Sequence, residues 1–155
     1  MTATNLAAMK VVVFQLKEKE YAIPIQQVRG IEKILHITRV PNTAHYVKGV
    51  INLRGVVTPI IDLRARFDLE ESPLTDDSRI IIVHIDELEV GLIVDIANDV
   101  IDIPSSHLEP QPEVVGTEEA EYITGVAKID KRLLILIDLK KILAPADLTD
   151  TAGEE

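Results

Sequence analysis

The chain is 155 residues long and carries a net charge of −10, a balance that argues against a nucleic-acid backbone or an anionic membrane as the main partner, since both repel acidic surfaces. Apolar residues at 46% and charged residues at 27% suit a packed core in one ordinary domain, or in two very small ones that share an interface. With no cysteine in the chain, disulfides, thiol nucleophiles and thiolate metal sites are all excluded, and a reducing compartment fits.

Met1–Ala8 lacks a basic region followed by a long apolar run, and no uninterrupted apolar stretch approaches a membrane span, so a cytoplasmic location is expected. From there the chain runs in short segments rich in Val and Ile, broken by Gly, Pro, Asn, Asp or charged clusters. That is an all-β pattern in which helices are few and short. The clearest predicted strands are Lys10–Lys17, Tyr21–Ile25, Val50–Leu53, Val56–Leu63, Arg79–Ile85, Val90–Val94, Val100–Ile103, Gly125–Ile129 and Leu133–Leu139. In the first, Val12, Phe14 and Leu16 alternate with Val13, Gln15 and Lys17, which predicts one buried face and one mostly solvated face. The polar segment Asp68–Ser78, with Pro73 inside it, reads as a joint. Past Leu143, Asp147, Asp150, Glu154 and Glu155 carry acidic charge with no basic residue to offset it, and residues 1–8 and 144–155 are expected to be flexible tails.

An internal repeat organises the rest. Tyr46-Val47-Lys48-Gly49-Val50 through Val57-Thr58-Pro59-Ile60-Ile61-Asp62-Leu63-Arg64 aligns without a gap on Tyr122-Ile123-Thr124-Gly125-Val126 through Leu133-Leu134-Ile135-Leu136-Ile137-Asp138-Leu139-Lys140. More loosely, Phe14-Gln15-Leu16 with Tyr21–Ile25 aligns on Val83-His84-Ile85 with Val90–Val94. A period this long is unlike a solenoid and implies two related small β-barrels that bury a face against each other. Val56–Ile61 and Leu133–Ile137 alternate little, whereas a small barrel in water has a polar outside. Something must therefore cover those outer faces: the other barrel in part, and a docked protein over any remainder.

Candidate chemistry is sparse. No G-x-S-x-G, P-loop, H-E-x-x-H or dinucleotide fingerprint occurs, and His36, His45, His84 and His107 share no ligand spacing. His84 and Asp86 fall on one strand face, where a solvated exterior explains them better than a metal does. Asp62 and Asp138 recur in register and could be read as an acid and base pair, but each precedes Leu and a basic residue at a strand end, as a helix cap would. Asn52-Leu53-Arg54-Gly55 breaks the repeat, the second copy having Lys128-Ile129-Asp130-Lys131. Arg54 is either an ordinary solubilising charge on a turn or a planar donor placed to grip a partner.

Gly49-Val50-Ile51-Asn52-Leu53-Arg54-Gly55-Val56-Val57-Thr58-Pro59-Ile60-Ile61-Asp62-Leu63-Arg64 closely resembles the hallmark segment of the CheW family of chemotaxis coupling proteins. Tyr21–Ile25 followed by Val28, the Pro41 turn before Tyr46-Val47-Lys48-Gly49, and Glu121-Tyr122 with Leu133–Leu136 stand in the family's order. The resemblance implies a CheW-like domain over 9–143, built from two SH3-like five-stranded barrels at about 9–70 and 77–143, with exchange of terminal segments between them left open. It implies no enzymatic activity and no cofactor, and a bridge between the cytoplasmic tip of a chemoreceptor and the regulatory domain of the histidine kinase CheA. That kinase domain is itself CheW-like, so CheW–CheW or CheW–CheA rings could form through the apolar outer strands, recruited to membrane receptor arrays without insertion. Arg54 matches the family arginine required for coupling, with Asn52 and Leu53 beside it. Val28 and Ile31 match apolar residues of the receptor-contacting region; Gly30 departs from the acidic residue many relatives carry there, and Glu32 is close enough to substitute. Three rivals are a CheW-like scaffold of a non-motility kinase pathway, a small hydrolase built on Asp62 and Asp138, and a polyproline-binding SH3-like module, for which 3% aromatics leaves little material.

Overall fold

Four hairpins with two-residue turns set the architecture. The computed structural model describes residues 8–70, 73–110 and 119–143. In chain order the strands are β1 (Ala8–Leu16), β2 (Lys19–Pro24), β3 (Val28–Lys33), β4 (Val47–Leu53), β5 (Val56–Asp62), β6 (Arg79–Ile85), β7 (Leu88–Val94), β8 (Ile96–Pro104), β9 (Leu108–Pro110), β10 (Ile123–Ile129) and β11 (Arg132–Ile137). One-turn helices α1 (Leu63–Arg66) and α2 (Leu139–Ile142) follow β5 and β11. Lys17, Arg54, Asp86 and Asp130, the first residue of each hairpin turn, all have φ near +55° (57°, 52°, 56° and 55°), the left-handed geometry whose twist matches that of the strands it joins.

One sheet runs β3-β6-β7-β5-β4 and the other β8-β1-β2-β11-β10-β9. Each curls closed. In the first barrel the chain beyond β3 crosses to β4, where Thr38 and Val50 exchange two backbone hydrogen bonds of 2.9 Å; in the second, β9 continues from β8 after a 3-10 turn at Ser105–His107 and pairs with β10. The sixth strand is thus the continuation of an interrupted fifth, and the expected all-β pair of five-stranded barrels with a few short helices is what forms. Both barrels contain one parallel pair at the same place, Ile60 opposite Gly91 and Leu136 opposite Ala22. One sheet draws on both ends of the chain, hairpin β1–β2 completing the barrel of β8–β11, while the other is the continuous run β3–β7, in which hairpin β6–β7 completes the barrel of β3–β5.

Three apolar clusters follow from the pleat. Val11, Val13, Ala22, Ile103, Ala127, Leu134 and Leu136 fill one barrel, and Ile51, Leu53, Ile60, Ile80, Ile82 and Ile93 fill the other. The alternate residues, including Val12, Phe14, Tyr21, Ile23, Ile61, Ile81, Leu92 and Ile137, form the largest cluster, between the barrels. All five aromatics of the chain lie there, with Phe14, Tyr21, Phe67 and Tyr122 in successive ring contact at 5.5–5.8 Å. At the centre the buried Arg66 guanidinium sits 4.3 Å from the Tyr46 ring and 4.9 Å from the Tyr122 ring, and donates to the Ile142 carbonyl at 3.0 Å.

The expectation that one face of the first strand is wet fails for Val11–Phe14, which are buried on both faces. Their inner face packs its own barrel and their outer face packs the neighbouring one, so alternation survives only at Gln15 and Lys17 near the turn. Strands β3 and β9 escaped the sequence reading, because β3 carries a bulge between Val28 and Gly30 that resets its period and β9 has three residues.

Candidate protein-docking site

Arg54 owes its position to the turn between β4 and β5. Its φ of 52° and that of Gly55, 86°, are the pair of positive values that a type I′ turn requires. The Asn52 side-chain oxygen accepts from the Gly55 amide at 2.8 Å and stiffens the loop. The guanidinium projects from this turn with 74% of the side chain exposed, and one nitrogen lies 3.5 Å from a Glu32 carboxylate oxygen across the barrel seam on β3. An ion pair this open is weak, worth about 0–1 kcal/mol, so it orients Arg54 without withdrawing it from a partner. The second copy shares a left-handed first turn residue, Asp130 at φ 55°, but lacks the second positive φ that Gly55 supplies and has no guanidinium at either turn position.

The other predicted positions divide. Val28 is half-buried at the edge of the inter-barrel core, and Ile31, on the same outer face beside Ile81, is 45% exposed. Glu32 lies opposite the core residue Ile80 on the barrel's interior side, with a quarter of its side chain exposed. A Cβ at Gly30 would sit 3.8 Å from the Glu32 carboxylate, so Glu32 delivers its charge into the space a side chain at 30 would use. Leu53 is buried in the first barrel; it anchors the turn from within and presents no contact surface. The structure therefore brings Arg54, Glu32 and Asn52 to one barrel end and leaves Val28 and Ile31 along the rim of the inter-barrel interface.

Residues outside that set complete the surface. On the outer face of β5, exposure falls from Val57 at 67% to Ile61, which is fully buried; on β11 it falls from Leu133 at 51% to the buried Ile137. Val57 and Leu133 are the same position in the two copies, and the opposing barrel covers only the far end of each strand. Val56 and Val100 are also exposed. The repeat put Val57 and Leu133 in register, but it could not separate them from Ile61 and Ile137, which share the same outer faces and are buried.

Asp62 and Asp138 are helix caps. Asp62 accepts from the Arg64 amide at 3.0 Å and Asp138 from the Lys140 amide at 2.9 Å. Among the described residues no three His, Cys, Asp or Glu side chains come together as a metal site would need, and no helix is long and apolar enough to cross a membrane.

The CheW-like domain model matches residues 10–146. This chain belongs to the CheW family. It is 48% identical over 143 residues to the chemotaxis protein CheW of Bacillus subtilis, covering 92% of each chain, and 34% identical over 146 residues to the chemotaxis protein CheW of Klebsiella aerogenes, covering 94% of this chain and 88% of that one. Among solved structures, the scaffolding protein TtCheW from Thermoanaerobacter tengcongensis superposes with a TM-score of 0.81 at 40% identity, over 88% of this chain and 92% of the other. For a CheW-family chain the features that folding alone does not require lie on the exterior: a guanidinium on a stiff turn and apolar strand ends left open.

Proposed function

We propose that this chain is a non-catalytic chemotaxis adaptor that joins the cytoplasmic tip of a chemoreceptor to the regulatory domain of the kinase CheA. The observation that carries the reading is Arg54, fixed on a type I′ turn and three-quarters exposed, beside the uncovered apolar residues Val56 and Val57. A guanidinium in that setting offers several donors in one plane and binds a carboxylate or carbonyl with direction, while the valines give up water when covered. The receptor tip would lie along the rim marked by Val28 and Ile31, with the kinase domain against a barrel end. Nothing is bonded or cleaved. The adaptor acts by holding kinase and receptor in a defined relative placement, in the cytoplasm at receptor arrays, with pairwise affinities on the order of micromolar reinforced by avidity.

The test is CheA autophosphorylation in receptor-containing membranes, with and without the protein, repeated with Arg54→Glu. The native chain should couple kinase activity to receptor state and the variant should not, while melting at the same temperature. An added native protein that leaves kinase activity unchanged sinks the adaptor reading; a well-folded Arg54→Glu that couples normally removes Arg54 from the interface.

A further inference from the structure

At the end of the first barrel opposite the Arg54 turn, a cleft of about 690 Å³ opens between the chain at 37–48 and Pro73–Leu74, with Asp62 and Ile93 beneath it. Strand β5 separates the two places: Val56 adjoins the turn and Asp62 the cleft, about 20 Å apart at the ordinary rise of a strand.

We infer that this cleft binds an extended acidic segment of a partner protein, one that carries an apolar side chain between carboxylates. Its charge is opposite to that of the molecule: on a chain of net charge −10, the cleft gathers Arg39 and Lys48 against, among the described residues that line it, one carboxylate, Asp62. Among the described residues the exposed Arg39 guanidinium has no hydrogen-bond or ion-pair partner. Lys48 is held loosely, 3.9 Å from Asp62, which also caps α1 through the Arg64 amide; Lys48 can therefore turn to an incoming carboxylate without leaving Asp62 unbonded. His45 contacts the Ala65 carbonyl through Nε2 at 3.3 Å and is fixed in place as part of the wall. Between the cations the rim is apolar: Leu74 is 50% exposed, and Val40 also faces solvent. Cations flanking an apolar rim match an acid–apolar–acid segment, and an open cleft of this size suits a strand of peptide rather than an enclosed small molecule.

The experiment is a ¹⁵N-HSQC titration of the full chain with the acetylated, amidated pentapeptide Glu-Asp-Leu-Glu-Asp. The basic counterpart Lys-Lys-Leu-Lys-Lys and sodium acetate at matched carboxylate concentration serve as controls. Saturable shifts confined to residues 39–48, Leu74 and Ile93 are expected with the acidic peptide alone. Arg39→Glu should weaken binding by a factor of about ten, as loss of one charge-assisted contact does, and added salt should weaken it too. Leu74→Asp, a second exposed position, should act in the same direction, and an HSQC spectrum unchanged away from the cleft shows that each variant folds. No shift, equal shifts with the basic peptide, shifts spread over both barrels, or full reproduction by acetate would each overturn the inference, the last by reducing the cleft to a small-anion site.

Discussion

Asp95 ties the two barrels together through one carboxylate. It accepts from Arg64 Nε at 2.9 Å and from a second guanidinium nitrogen of the same side chain, and from the backbone amide of Lys17 at 2.8 Å. Arg64 belongs to α1 on the first barrel and Lys17 to the β1–β2 turn on the second. Burial pushes the Asp95 carboxyl upward, but the Arg64 hydrogen bonds and charge together with the Lys17 amide outweigh it and hold the group below its ordinary value. A carboxyl lowered in the folded state contributes stability above its unfolded pKa, near 3.9, and loses that contribution as pH falls through the folded value. Asp95→Asn should therefore cost about 1–3 kcal/mol at pH 7, and the difference between native and variant should shrink as pH drops below about 4. Urea melts at pH 7, 5, 4 and 3 read this directly, and a difference constant across the series would show that the Asp95 charge does not matter.

At the scale of elements, the two barrels close by the same device. Gly49 and Gly125 occupy one position of the repeat, each beside a bulge in its hairpin. A Cβ on Gly49 would lie 2.1 Å from the Thr38 carbonyl oxygen, and one on Gly125 would lie 2.7 Å from the Glu109 carbonyl oxygen. The absent side chain is what lets the closing segment approach β4 or β10. Gly49→Ala should then open the first barrel's seam at a cost above about 1 kcal/mol, and the Thr38 and Val50 amides, which bond each other's carbonyls across it, should lose hydrogen-exchange protection before β6 and β7 do. Retained protection at both amides would refute this account of closure. The repeat made these glycines visible in the sequence, along with the hairpins, the Asp62 and Asp138 caps and the idea of two barrels. It hid β3, whose bulge breaks the period, and Asp95, whose partners come from a helix and a turn remote in sequence. It also let Leu53 pass as a contact residue, because sequence adjacency to Arg54 does not show that alternation sends the leucine inward and the arginine, on its left-handed turn, outward. Arg66 was unreadable for a similar reason: its partners Tyr46, Tyr122 and Ile142 meet only when the barrels pack.

For the whole molecule, duplication gives two outer strands with one shared defect. The opposing barrel covers the far ends of β5 and β11 and stops short of Val57 and Leu133, because a second barrel cannot wrap the ends nearest the turns. The barrels are thus left with equivalent apolar positions facing away from the common core, and on the function proposed above each is where a barrel of the kinase regulatory domain or of another copy would dock. Full burial of such a side chain is worth about 1.5–3 kcal/mol, and covering what remains exposed of one, 67% of Val57 or 51% of Leu133, is worth about 1–2 kcal/mol, enough to matter in a micromolar contact and too little to force assembly alone. Val57→Asp and Leu133→Asp should each leave stability within about 0.5 kcal/mol of native, as exposed substitutions do, and each should weaken binding to the isolated CheA regulatory domain or self-association by about tenfold, which is about 1.4 kcal/mol. Calorimetric titration against the regulatory domain and sedimentation of the chain alone separate the two partners. If Val57→Asp affects one association and Leu133→Asp the other, the two barrels have divided the work between them. If neither variant changes either, while Arg54→Glu still abolishes coupling, the open strand ends are bystanders and docking rests on the turn alone.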